Sequence, residues 1–189
     1  MAEPSQFLTP EPLHHWHKMF WDHDAKWCIH AVGKAEIDFR FSILHPQTGY
    51  RHFTEGISKL KQVTGREHRN LQCYMIGIIA GAVTKGFLIA IWALMDFRYL
   101  AQAPEISETI LDQINSALKE FHKHKNNIII SGAWDGKKKV AKDWEIPKLE
   151  FLQSVVPNIC NNGVAIQWSA DITERAHVTE IKAPSKSTN

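Results

Sequence analysis

Cysteine is scarce in this chain and badly placed for cross-linking. Cys28, Cys73 and Cys160 lie far apart, no two form a Cys-x-x-Cys pair, and their number is odd. This fits buried thiols in a reducing, intracellular compartment better than a disulfide framework or a zinc ribbon. Charge of one sign is also missing. The 22 Lys and Arg residues nearly balance 20 Asp and Glu, leaving +2 with histidine neutral, so bulk charge does not announce a nucleic-acid binder. There is no Gly-x-x-x-x-Gly-Lys-Ser/Thr phosphate loop, no Gly-x-Ser-x-Gly elbow and no His-Glu-x-x-His pair. The first residues, Met1 to Pro12, are polar and proline-rich rather than a signal peptide. No repeat or low-complexity tract is present.

Long apolar runs are limited to one. Met75 to Met95 is apolar except for Thr84 and Lys85, and its length meets the ~20 residues a membrane span needs. Lys85, however, would sit near the bilayer centre, where charge is costly, and glycines at 77, 81 and 86 break the run. The segment reads as a buried helix, or as two helices meeting near Val83–Gly86, with no membrane partner.

What is present is ordinary globular material with two unusual counts. Hydrophobic residues make up 44% and charged residues 22% of 189 positions, enough for a single domain over 1–189 with a real core. Seven tryptophans and 11 histidines stand out.

The periodicity predicts a mainly α fold with at most a few short strands. Thr9-Pro10 suits a helix start, and Leu13, Trp16, Phe20, Trp27 and Ala31 then form an aromatic-rich stripe closed by Gly33. Glu36 to Ser42 is compatible with either helix or strand. Helices are predicted over Thr54 to Gln62, from Thr64-Gly65-Arg66-Glu67 through Ala82, and over Lys85 to Leu100. Ser107 caps the clearest amphipathic helix, with Ile110, Ile114, Leu118, Phe121 and Ile128 on one side and the basic His122 to Lys125 at its end. Gly132 to Lys142 is a loop, Pro147 opens a helix to Ile159, Val164 to Ser169 suits a short strand, and 183–189 is an exposed tail.

Three groups of side chains carry candidate chemistry. His14 and His17 stand three apart on the first helix, a spacing open to metal binding or to ordinary packing against neighbouring helices. Lys137, Lys138 and Lys139, with Lys142 behind them, form either a solvated loop or a phosphate-contacting one. In the C-terminal stretch, Asp171 with Glu174 resembles a capping box, and the charges that follow suit a solvated face. Glu174, His177 and Lys182 also fall at spacings that bring an acid, a histidine and a lysine roughly onto one helical face, where a metal and a phosphate backbone would be held.

The order of several segments resembles the C-terminal part of a fungal Plavaka-type DNA transposase, a relative of CACTA-element transposases. The carrying segments are Leu8-Thr-Pro-Glu11-Pro-Leu-His14-His-Trp-His17-Lys18, Glu36-Ile-Asp38-Phe-Arg40-Phe41 and Tyr50-Arg-His52-Phe53-Thr-Glu-Gly56-Ile57-Ser58-Lys59. Thr64-Gly65-Arg66-Glu67, Leu94-Met-Asp96-Phe97-Arg-Tyr99-Leu100-Ala101 and Thr173-Glu174-Arg-Ala-His177-Val-Thr-Glu-Ile-Lys182 complete the series.

The resemblance implies the helical insertion and C-terminal helix of an RNase H-like nuclease. Such an enzyme cuts and joins DNA at an Asp, Asp, Glu triad holding two Mg2+ ions. Glu11 maps onto the second carboxylate, where an aspartate is the family's residue, and Glu174 maps onto the third. His177, Lys182 and the Lys137–Lys139 loop would face DNA. Where the family carries an Asp-x-x-His-like signature, this chain has Glu67-His-Arg-Asn70. The first aspartate and the sheet strands would lie upstream of residue 1. The expectation is therefore a nuclear or cytoplasmic, transposase-derived protein that is catalytically incomplete. The alternative is a non-catalytic helical module binding DNA or protein.

Overall fold

The computed structural model describes residues 9–61, 63–134 and 144–187. Every regular element among them is helical, and no strand occurs among the described residues. Helix α1 covers residues 12–32 and includes two wide i→i+5 stretches, Pro12–His17 and Phe20–Ala25, before the regular turns of Lys26–Val32. Its start falls two residues later than Thr9-Pro10 suggests: Glu11 is the N-cap and Pro12 takes the first helical position. Gly33, with φ 90, separates α1 from α2 at Lys34–Ser42.

Helix α3 runs over Gly65–Ile79. It opens on a complete capping box, with Thr64 and Glu67 each satisfying the other's backbone amide. A short turn containing Gly81 separates it from α4, Lys85–Ala101, so the apolar run is two helices. No helix among the described residues is long and apolar enough to cross a membrane. Helix α5, Glu108–His124, is capped by Ser107 and packs against α4. The short α6, Asn126–Ile130, follows. Helix α7 spans residues 147–162 from Pro147, with a tighter stretch at Phe151–Ser154. Helix α8 spans residues 171–187 in three abutting segments, Asp171–Ala176, His177–Lys182 and Ala183–Ser187.

The core is built around α4, which contributes Phe87, Ile91, Leu94 and Phe97 to one face. Trp16, Met19 and Phe20 of α1 meet it from one side, and Ile114, Leu118 and Phe121 of α5 belong to the same core. Burying side chains of this size stabilises the fold by about 1.5–3 kcal/mol apiece. One ion pair is enclosed as well: Arg98 on α4 donates to Asp24 on α1, both fully buried, with Arg98 also over the Phe20 ring. Of the three thiols only Cys28 is buried; Cys73 and Cys160 are exposed.

Two local predictions fail for identifiable reasons. Thr54 to Lys61 is a series of turns rather than a helix. The Asp38 carboxylate accepts from the amides of Ile57 and Ser58 at 2.7 Å and from Ser58 Oγ at 2.5 Å, holding the loop in place. Gly56 adopts φ 71 so close to Asp38 that any Cβ would overlap it. Val164 to Ser169 has no strand to pair with among the described residues. It forms a single tight turn at Ala165–Gln167, closed by Trp168 Nε1 donating to the Gly163 carbonyl at 2.9 Å.

Candidate functional site

Among the described residues a polar surface and an apolar one have the makings of a site. The polar one forms where the start of α1 meets the start of α8, and it joins residues predicted from opposite ends of the chain. Glu11 caps α1, accepting from the amides of Leu13 at 3.0 Å and His14 at 2.5 Å. Its second oxygen also accepts from the Ala170 amide at 3.1 Å, which ties the entry to α8 onto α1. The His14 ring then stands between two carboxylates, with Nδ1 2.5 Å from Glu11 and Nε2 3.7 Å from Glu174. The two glutamates predicted as metal ligands are thus brought to opposite edges of one imidazole.

The electrostatics show what Glu11 does there. Partial burial would raise its carboxyl, but the bonds from the His14, Ala170 and Leu13 amides and the His14 ring outweigh that and hold it below the usual 4.5. With four donors already placed, the carboxylate is occupied as an anionic helix cap. Asp171, one turn before Glu174, pairs with Arg69 on α3. Arg69 also faces His17 Nε2 at 3.4 Å, while the Gln72 amide faces Nδ1 at 3.3 Å. Burial first, then the positive charges of Arg69 and Arg98, lower the His17 imidazole from 6.5 to about 4, so it is neutral at physiological pH. His14 and His17 therefore serve different surroundings rather than one ion.

This donor set does not fit a two-metal carboxylate centre. Glu11 is occupied by three amides and the His14 ring, Asp171 is matched to a guanidinium, and an imidazole lies where a shared cation would sit between Glu11 and Glu174. Among the described residues, no group of three or more His, Cys, Asp or Glu side chains is placed to hold a metal. The capping box anticipated at Asp171 and Glu174 does not form either. Helix α8 has Ala170 at its cap with no side-chain bond, because both acids turn toward the body of the protein. His177 and Lys182 follow on α8 and are exposed. Lys137, Lys138 and Lys139 lie outside the described residues.

The apolar surface is an open groove along α4 and α5, enclosing about 730 Å³. Ile89, Trp92, Ala93, Asp96, Tyr99 and Leu100 line it from α4 at helical spacing, and Gln113, Ser116, Ala117 and Glu120 face them from α5. Trp92 and Tyr99 line it while remaining 52% and 49% exposed, the Tyr99 hydroxyl also donating to Cys73 Sγ of α3 at 3.3 Å, and Ala93 and Ala117 are the small residues of the lining. Trp92 Nε1 donates to Asp96 at 3.0 Å. Partial burial raises the Asp96 carboxyl above 3.8 despite that bond, and no cation among the described residues pairs with it.

Sequence reasoning missed this groove, although a signal was there. Helix α4 is apolar nearly all round, which calls for cover on every side. The Trp92 side lacks that cover. No protein-family model, no curated protein and no solved structure matches this chain.

Proposed function

We propose that this chain is a catalytically incomplete, transposase-derived helical module that binds a protein partner through the α4/α5 groove. The observation that carries the reading is the uncovered Trp92–Tyr99 side of an otherwise enclosed apolar helix. A three-turn groove lined by two aromatic rings, two alanines and an acidic side chain suits the apolar face of a helix bearing a basic residue. Descent from a Plavaka-type element rests on the ordered segments from Leu8 to Lys182. Catalytic incompleteness rests on Glu11 being occupied as a cap rather than open to Mg2+. The test uses an idealised Leu/Lys amphipathic helical peptide carrying a fluorophore. Binding should raise its anisotropy, and Trp92→Glu should weaken binding at least about tenfold, the equivalent of 1.4 kcal/mol. Equal binding to both proteins, or none to the wild type at a dilution where it is monomeric, would dispose of the groove as the working surface.

A DNA-contacting reading is favoured by one feature, the meeting of Glu11 and Glu174 with exposed His177 and Lys182 further along the same helix. In that case duplex DNA should bind at low salt with an affinity that falls steeply as salt rises, and Lys182→Ala should flatten the slope by about one counterion. Absence of binding at low salt would remove it.

A further inference from the structure

Helix α8 is amphipathic the wrong way round. Its body-facing contacts are polar: Asp171 reaches Arg69 and Glu174 reaches His14. None of its described side chains is buried. Ile172 and Ile181 are 70% and 60% exposed, and Ala176 is exposed between them. Ile172 and Ala176 are four apart and Ala176 and Ile181 five apart. The second step falls where the helix widens to i→i+5 turns, so the three come onto one side, away from Asp171 and Glu174. A helix that turns its acids inward and its isoleucines outward is laid out for a second surface.

We infer that α8 occupies the α4/α5 groove of a second copy of this chain, and that the groove of the first copy receives α8 of the second. This rests on the groove being a helix-binding surface and names its occupant. Length is comparable, since Ile89–Leu100 covers about 17 Å of helix at 1.5 Å per residue and 172–183 is the same number of residues, shortened where its turns widen. Charge matches too. Arg175 and Lys182 on α8 are exposed and form no ion pair among the described residues. Among the described residues Asp96 holds only the Trp92 indole, while Glu120 is shared with Lys123 at 3.5 Å and His124 at 3.0 Å. A reciprocal, two-fold exchange uses each helix and each groove once and closes the assembly, whereas a one-way arrangement would leave a free end to polymerise.

The test is the mass of the full chain by light scattering and sedimentation. At about 100 µM the wild type should be a dimer. Ile172→Asp/Ile181→Asp and Trp92→Glu should each be monomeric with unchanged helical circular dichroism, because all three positions are exposed. Asp96→Lys and Arg175→Glu should each weaken the dimer at least about tenfold, and the double swap should restore it. A monomeric wild type, or a dimer that survives both the α8 and the Trp92 variants, would overturn the exchange. If the Leu/Lys peptide still binds a monomeric wild type, the groove reading stands and only self-association falls. If neither occurs, both fall.

Discussion

Replacing Glu11 distinguishes a structural carboxylate from a metal ligand. The Glu11→Ala change removes the cap of α1, a contribution of about 1 kcal/mol. It also removes the charged acceptor for the Ala170 amide at 3.1 Å, a bond of a class that contributes about 1.5–3 kcal/mol. A loss of about 3 kcal/mol is expected in urea unfolding followed by tryptophan fluorescence. Glu11→Gln keeps one acceptor oxygen and should lose roughly half as much. The carboxyl is held below its usual 4.5 in the folded chain, so its stabilisation is complete above the unfolded value and disappears as pH falls through the lower folded one. The gap between wild type and Glu11→Ala should therefore narrow as pH falls below 4.5 and through the lower folded value. Millimolar Mg2+ should leave both midpoints unchanged. A Mg2+-dependent rise in the wild-type midpoint that Glu11→Ala abolishes would refute the assignment, because only a ligand bound to the folded state stabilises in that way.

The buried pair offers a sharper stability test. Arg98→Met strands Asp24 in the core and should cost about 3–5 kcal/mol, with Asp24→Leu/Arg98→Met recovering much of it; a single-variant cost below about 1 kcal/mol would contradict the burial. His17, lowered from 6.5 to about 4, binds its proton more readily when unfolded. Its contribution is present above about pH 6.5 and falls by on the order of 3 kcal/mol as pH drops toward 4. An NMR titration placing the His17 midpoint near 6.5 would show that the ring is not enclosed as described. Gly56→Ala should destabilise by about 1–3 kcal/mol, because φ 71 and the overlap with Asp38 both oppose a side chain; a cost under about 0.5 kcal/mol in the same urea assay would refute that geometry.

The longer helices are legible in the sequence because their signals are local. Thr64 with Glu67 and Ser107 mark helix starts within four residues, and the spacing of Ile114, Leu118 and Phe121 identifies the buried side of α5. The errors fall where a distant residue decides. Nothing within Thr54 to Lys61 shows that Asp38, some 20 positions back, will take its amides. Glu11 draws notice through its place among the ordered segments. Its contact with Ala170 spans 159 positions, though, and no periodicity reports that. Composition also could not show that α4, apolar enough to raise the question of a membrane, would leave its Trp92 side open.

The same distance effect explains why the C-terminal stretch supports two readings at once. Acids three apart at a helix start look like a capping box, and an acid followed by histidine and lysine looks like a phosphate-facing helix; both patterns concern the polar side alone. The apolar side bears more heavily on how α8 is used. Leaving Ile172 and Ile181 in water forgoes about 1.5–3 kcal/mol for each, while the exposed contacts of Asp171 and Glu174 contribute about 0–1 kcal/mol apiece. In an isolated copy the polar anchors therefore place the helix without holding it firmly. Burying the opposite side stabilises more than both anchors together, and among the described residues the α4/α5 groove offers apolar character and charge to match it.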